Sequence, residues 1–290
     1  YATGSTEASI HSGGIERTFI VHLPPSYDGS APLPVLLVFH GGFGNGEQTQ
    51  TNYTDMDPVA DREGVITIYP DGMPISNFGI YADMRTWNAG DCCGPSQEDG
   101  VDDLGFVSDL LDHLEENVCI DTAKVYSTGM SNGSMMSHHL ACDLSDRIAA
   151  VAPVAGPIMD PTCEPTRAVP VMHIHGTEDL NALWDGGVSS CGLSGKSFTS
   201  VPETIEGWRV RNGCRNQTEH MLTQGDGVCE KYVGCVNDAS VVLCTIEGGG
   251  HSWPGGTPRE DSFGCEGQGH QSQTFMANEV MLNFLNNYHL

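Results

Sequence analysis

The sequence predicts an α/β sandwich around a mostly parallel sheet, opened by an antiparallel N-terminal hairpin. Three observations lead there. Apolar runs without alternation recur at residues 35–39, 65–69, 149–154, 170–175 and 241–246. Such runs suit strands buried on both faces, which is the environment a parallel sheet creates. They alternate with stretches whose apolar residues recur at helical spacing. No composition break, internal repeat or Pro/Thr-rich linker divides the chain, so residues 1–290 are read as one domain.

Taken in order, residues 15–23 alternate as a strand, and residues 7–11 can pair with them across Gly13-Gly14. Pro24-Pro25 ends this hairpin. The run 35–39 closes in His40-Gly41-Gly42-Phe43-Gly44. A helix at 57–63 leads to the strand 65–69, which Pro70-Asp71-Gly72 turns. Residues 75–97 form a long irregular segment holding Tyr81, Trp87-Asn88 and Cys92-Cys93, and long ordered loops often carry function. An amphipathic helix runs over 102–117 with Phe106, Leu110, Leu111 and Leu114 inward. Asp99, Asp102 and Asp103 lack the spacing of an EF-hand loop and suit the cap of that helix better than a calcium site.

A short strand at 125–128 then meets Gly129-Met130-Ser131-Asn132-Gly133, and a helix follows with Met135, Met136, Leu140 and Ala141 on one face. After the strands 149–154 and 170–175, a helix at 201–212 turns Ile205 and Trp208 inward. The last strand, 241–246, ends at Gly248-Gly249-Gly250-His251, and an amphipathic helix at 275–288 closes the chain.

The formal charge is 12 − 38 = −26. A surface that acidic repels nucleic acid and anionic membranes and suits a neutral substrate. Eleven cysteines without paired zinc-knuckle spacing point to disulfides, hence to a secreted protein, extracellular or periplasmic. Each bridge contributes about 2–4 kcal/mol. Cys142 is expected to pair with Cys163, since both lie near the ends of the strand 149–154, and Cys214 with Cys235, tying a helix end to the loop before the last strand. The adjacent Cys92 and Cys93 are expected to take different partners. No apolar run is long enough to span a bilayer, and without a visible signal peptide the chain reads as a mature form. Asn52-Tyr53-Thr54 and Asn216-Gln217-Thr218 are glycosylation sequons in a eukaryotic setting.

The chemistry gathers at three strand ends. Ser131 stands in a G-x-S-x-G turn between strand and helix, the context of a nucleophile elbow rather than of a plain glycine turn. Asp179 follows the strand 170–175, with Glu178 and Asp185 as alternatives, and His251 follows the last strand. A serine hydroxyl needs an imidazole base, and the imidazole needs a carboxylate to hold its tautomer. The order Ser…Asp…His is that of the α/β-hydrolases, whose three-layer sandwich is the fold expected here. The loop after residue 39 resembles the oxyanion loop of that fold. Backbone N–H groups of Gly42 and Phe43, with that of Asn132, would bind developing charge, each worth about 2.7–4 kcal/mol. A packing role for His40 is the competing reading. His173-Ile174-His175 suits local hydrogen bonding better than a metal, and no metal or cofactor is expected.

These residues resemble the secreted esterases of the polyhydroxybutyrate-depolymerase-like group, which overlaps carbohydrate esterase family one with its feruloyl and acetylxylan esterases. The likeness covers nearly the whole chain. It rests on Leu37-Val38-Phe39-His40-Gly41-Gly42, Trp87-Asn88-Ala89-Gly90 with Cys92-Cys93-Gly94, Val101-Asp102-Asp103-Leu104-Gly105-Phe106, the elbow, Ala152-Pro153-Val154-Ala155-Gly156, the stretch from His173 to Asp179, and Gly248-Gly249-Gly250-His251-Ser252-Trp253-Pro254-Gly255. It implies Ser131 as nucleophile, Asp179 as orienting acid and His251 as base, with Trp87, Asn88 and Trp253 lining the substrate cleft. Asp179 here leads into Leu180-Asn181-Ala182-Leu183-Trp184, where several relatives carry a Val-Pro-Tyr-like segment. Tyr81, Trp87, Trp184 and Trp253 fit either a cleft for phenolic acids and sugars or the core. The expected activity is a serine esterase acting on feruloyl or acetyl esters of plant cell-wall polysaccharide. Depolymerisation of polyhydroxyalkanoate is the alternative, and an inactive scaffold for carbohydrate binding or adhesion is a second one.

Overall fold

The computed structural model describes residues 1–76, 79–191, 195–259 and 265–290. Ten strands form one sheet. They are β1 Gly4–Ser12, β2 Ile15–Leu23, β3 Leu33–Phe39, β4 Ile66–Pro70, β5 Ile120–Met130, β6 Ala150–Val154, β7 Val171–Gly176, β8 Thr218–Gln224, β9 Gly227–Tyr232 and β10 Val241–Ile246. Their spatial order is β1-β2-β4-β3-β5-β6-β7-β10-β9-β8. The run from β4 to β10 is parallel throughout. Antiparallel pairing is confined to the two ends, β1–β2–β4 and β8–β9–β10.

The non-alternating runs become the central strands because helices cover both faces. In β3, Val35, Leu37 and Phe39 enter one core with Phe106, Met136 and Trp208. Leu36 and Val38 enter the other with Met56, Ala60 and Phe284. Period-two alternation thus feeds two hydrophobic layers instead of one layer and solvent. The helices α1 Asp57–Glu63, α2 Asp103–Asn117, α3 Asn132–Asp143, α4 Val201–Arg211 and α5 Ala277–Leu285 supply the outer layers. Helices α2, α3 and α4 pack on the first face, α1 and α5 on the second. The result is the α/β-hydrolase sandwich.

The acidic cluster before α2 divides its labour. Asp102 caps the helix, accepting from the Gly105 N–H at 2.8 Å. Asp103 is buried against Arg17 at 2.6 Å and accepts from the Asn88 N–H at 2.8 Å. Ser200 and Glu203 form a capping box at the start of α4.

Cys142 pairs with Cys163 and Cys214 with Cys235, and two further pairs are Cys191 with Cys265 and Cys229 with Cys244. Cys92 and Cys93 face one another, contrary to the expectation of separate partners. The Cys93 N–H bonds to the Trp87 carbonyl and the Ala89 N–H to the Cys92 carbonyl, so the loop turns back on itself here. Cys119 is unpaired. The hairpin β8–β9 has no counterpart in the sequence expectations. Among the described residues, no helix is long and apolar enough to cross a membrane.

Candidate active site

Strand β5 delivers Ser131 to the edge of a cleft of about 370 Å³. Its backbone sits at φ 58°, a region that costs a non-glycine residue energy and persists only when its surroundings hold it. Here the Ser131 N–H donates to the Val154 carbonyl at 2.9 Å, and its own carbonyl accepts from Met135 at 3.0 Å. The turn is so tight that side chains are excluded beside it. A Cβ on Gly129 would lie 2.6 Å from the Gly133 carbonyl carbon. A Cβ on Gly133 would fall on the Phe39 and His40 carbonyl oxygens. The Ser131 side chain makes no capping bond to α3.

Asp179 follows β7 and is almost wholly buried. Its Oδ1 accepts from the Asn181 and Ala182 N–H groups, both at 2.8 Å. Its Oδ2 accepts from His251 Nδ1 at 2.8 Å, and His175 Nε2 stands 3.4 Å away. Burial alone would raise the Asp179 carboxyl, but the charge of His251 and the hydrogen bonds from His175 and His251 hold it well below the usual carboxylate range. His251 lines the same cleft as Ser131. With Nδ1–H directed to the carboxylate, Nε2 is the basic nitrogen. Among the described residues it is Asp179, and neither Glu178 nor Asp185, that takes this bond.

The loop after β3 lies across the elbow. The Gly41 Cβ direction points within 3.6 Å of Ser131 Cβ, and that of Gly42 within 3.8 Å of Asn132 Cβ. Contrary to expectation, Phe43 is not free to serve as an oxyanion donor, because its N–H is spent on the Arg85 carbonyl at 2.8 Å. The Gly42 and Asn132 N–H groups carry no hydrogen-bond partner among the described residues. His40 has a packing role. It is buried, directs Nδ1–H to the Gly41 carbonyl at 2.7 Å and accepts from the Gly72 N–H at 2.9 Å. Burial lowers its pKa to about 4, so it stays neutral and shapes the loop.

Trp87, Asn88, Trp184 and Trp253 do not line the cleft. Trp87 is fully buried and donates its indole N–H to the His40 carbonyl at 3.1 Å. Its backbone N–H and carbonyl clamp the Asn132 side-chain amide at 2.7 and 3.1 Å. Asn88 bonds to Asp103 and the Val101 carbonyl. Trp253 is buried and donates to Asn278 at 2.8 Å. Trp184 stands edge-on to His175 at 6.1 Å. These residues therefore brace the site from behind instead of touching its contents. The apolar wall comes from Phe43, Tyr53, Pro95, Met135 and Phe198, none of which is expected from the sequence as a substrate contact. Tyr53 is supplied by a π-helical turn, Thr49–Thr54, a form frequent at functional sites. Elsewhere, His139 bridges Asp143 and Asp160, with Nδ1 3.1 Å from each.

The family model described as Esterase PHB depolymerase matches residues 17–207. Feruloyl esterase B of Piromyces equi is 31% identical over 243 residues, covering 81% of this chain and 42% of that one. Feruloyl esterase D of Neurospora crassa is 28% identical over 245 residues, covering 82% and 75%. The chain thus spans less than half of the first of these relatives. An acetyl xylan esterase from Aspergillus awamori superposes with a TM-score of 0.57 at 14% identity, covering 85% of this chain and 94% of that one, a likeness of fold alone.

Proposed function

The chain belongs to the PHB depolymerase esterase family, and from that premise we propose that it hydrolyses carboxylic esters through an acyl-enzyme on Ser131, with feruloyl-type or acetyl esters of plant polysaccharide as substrates. The observation that carries this reading is the His251–Asp179 pair at 2.8 Å opening onto the cleft that holds Ser131. His251 Nε2 takes the hydroxyl proton as Ser131 Oγ bonds to the ester carbonyl carbon. The Gly42 and Asn132 N–H groups hold the resulting oxyanion. Collapse breaks the bond to the alcohol oxygen, which leaves with the proton from His251. Water then repeats the sequence on the acyl-enzyme and releases the acid.

Several features support the acyl preference. The cleft volume lies in the range of small-molecule sites. Phe43, Tyr53 and Phe198 offer apolar faces suited to a phenolic ring. The names of the relatives, feruloyl esterases B and D, point the same way. The paired cysteines support export, and the charge of −26 favours neutral substrates.

Turnover of methyl ferulate, acetylxylan and short hydroxybutyrate oligomers tests the ranking. The first two are expected to be preferred, and faster cleavage of the oligomers would reverse it. Ser131→Ala is expected to abolish hydrolysis of a p-nitrophenyl acyl ester with circular dichroism unchanged. Full activity in that variant rejects the mechanism.

A further inference from the structure

Behind the triad, four fully buried side chains form a single hydrogen-bonded line that ends on its carboxylate. The Trp208 indole N–H meets His138 Nδ1 at 3.0 Å. His138 Nε2 meets His173 Nδ1 at 3.2 Å, and His173 Nε2 meets His175 Nδ1 at 3.0 Å. His175 Nε2 then meets the Ala182 carbonyl at 2.8 Å and stands 3.4 Å from Asp179 Oδ2. The line joins α4 through α3 to β7, crossing one core layer.

Its direction follows from its first member. An indole N–H only donates, so His138 Nδ1 must accept. His138 then carries its proton on Nε2 and donates to His173 Nδ1. His173 in turn carries Nε2–H and donates to His175 Nδ1. His175 is left with Nε2–H, aimed at one carbonyl and one carboxylate, both acceptors. Every hydrogen bond in the line is satisfied in this state. Burial supports it, since it lowers His138 to about 3 and His173 well below the usual histidine range.

The opposite state is blocked. An imidazolium at His175 would place Nδ1–H against His173 Nε2 and reverse each ring in turn. His138 would finally set Nδ1–H against the Trp208 N–H, donor against donor at 3.0 Å. Without this block, a charged His175 would stand 3.4 Å from Asp179 and share the carboxylate's charge with His251.

We infer that Trp208, His138 and His173 are positioning residues that lock His175 as the neutral Nε2–H tautomer, so that Asp179 keeps its charge for His251. This rests on the triad reading above. It also explains why three buried imidazoles are strung together where packing alone would accept apolar side chains. Each Nδ1 lone pair is occupied, so the run His173-Ile174-His175 offers no ligand to a metal.

The first test is the nitrogen-15 histidine spectrum of the wild-type protein at neutral pH. His138, His173 and His175 are expected as three neutral Nε2–H tautomers, and a Nδ1–H tautomer or an imidazolium at any of them overturns the lock. The same spectrum can be read in Ser131→Ala, so it stands apart from whether the chain is an esterase. The second test is Trp208→Phe, which keeps an aromatic ring and removes the donor. The folded variant is expected to show mixed or reversed tautomers, with kcat on a p-nitrophenyl ester down by about tenfold and KM unchanged, the scale of one hydrogen bond to a charged group. Unchanged kcat alongside reversed tautomers overturns the link to Asp179. Should this variant not fold, the wild-type spectrum still decides the lock.

Discussion

Asp179 shows how much one carboxylate can be made to do. Its Oδ1 is claimed by two backbone N–H groups and its Oδ2 by His251 and His175, so all partners are donors. In Asp179→Asn, the Asn181 and Ala182 N–H groups would keep the amide oxygen on their side. The NH2 would then face His251 Nδ1 and force that nitrogen to accept. His251 would carry its proton on Nε2, where it cannot take one from Ser131. The expected loss is roughly 10³–10⁴-fold in kcat with folding retained, read from steady-state kinetics, and a loss under tenfold would mean that the pair is not what orients the base. Asp179, Ser131 and His251 stand out in the sequence because each directly follows a buried run. The fate of the Phe43 N–H does not, because its acceptor, the Arg85 carbonyl, lies 42 residues away (85 − 43 = 42) in a two-residue strand, Arg85–Thr86, too short to leave a pattern in the sequence. Trp87 and Trp253 misled for a related reason: a motif records that a residue is needed beside the site and not which way its side chain faces.

At the scale of elements, the parallel centre was legible because burial on both faces leaves unbroken apolar runs. The second edge was not. Strand β8 exposes most of its side chains, and β9 alternates buried Gly227 and Cys229 with exposed Val228 and Glu230. Thr, Glu, His and Gln dominate β8, so neither hydrophobic period nor length marks it as strand. What fixes this hairpin is the partner strand and a cross-strand link, with Cys229 opposite Cys244 in the register of β9 on β10. The link spans 15 residues, which in the chain-entropy view corresponds to about 3 kcal/mol. The double variant Cys229→Ser, Cys244→Ser is therefore expected to lose about 2–4 kcal/mol in denaturant unfolding, with the Ser131 cleft unaffected because neither residue lines it. A loss below about 0.5 kcal/mol would show that sheet pairing alone holds the edge.

For the whole molecule, two features pull stability in opposite directions as pH falls. The chain carries a formal charge of −26, and any protonation that reduces it relieves self-repulsion. Against this stand the buried imidazoles of His40, His138 and His173, all held below the usual histidine pKa, chiefly by burial. A group whose folded pKa is depressed binds fewer protons folded than unfolded. Its stabilisation is therefore complete above about pH 6.5, the unfolded histidine value, and is lost as pH falls from there towards the folded value. For His40 that window closes at about 4 and for His138 at about 3. By pH 5.5 His40 and His138 have each given up about 1.4 kcal/mol, and His173 loses stabilisation in the same direction. Carboxylates with ordinary values near 4 have barely begun to titrate at pH 5.5, so most of the acidic surface is still charged there. Surface ion pairs are worth only about 0–1 kcal/mol each, so they offset little of this. The buried set should win. The urea midpoint is expected to be flat above about pH 7 and to drop between pH 7 and 5.5. The drop should persist in 0.5 M salt, because salt screens exposed charges and leaves buried groups largely untouched. A midpoint that rises on acidification would mean that relief of surface repulsion outweighs the buried histidines.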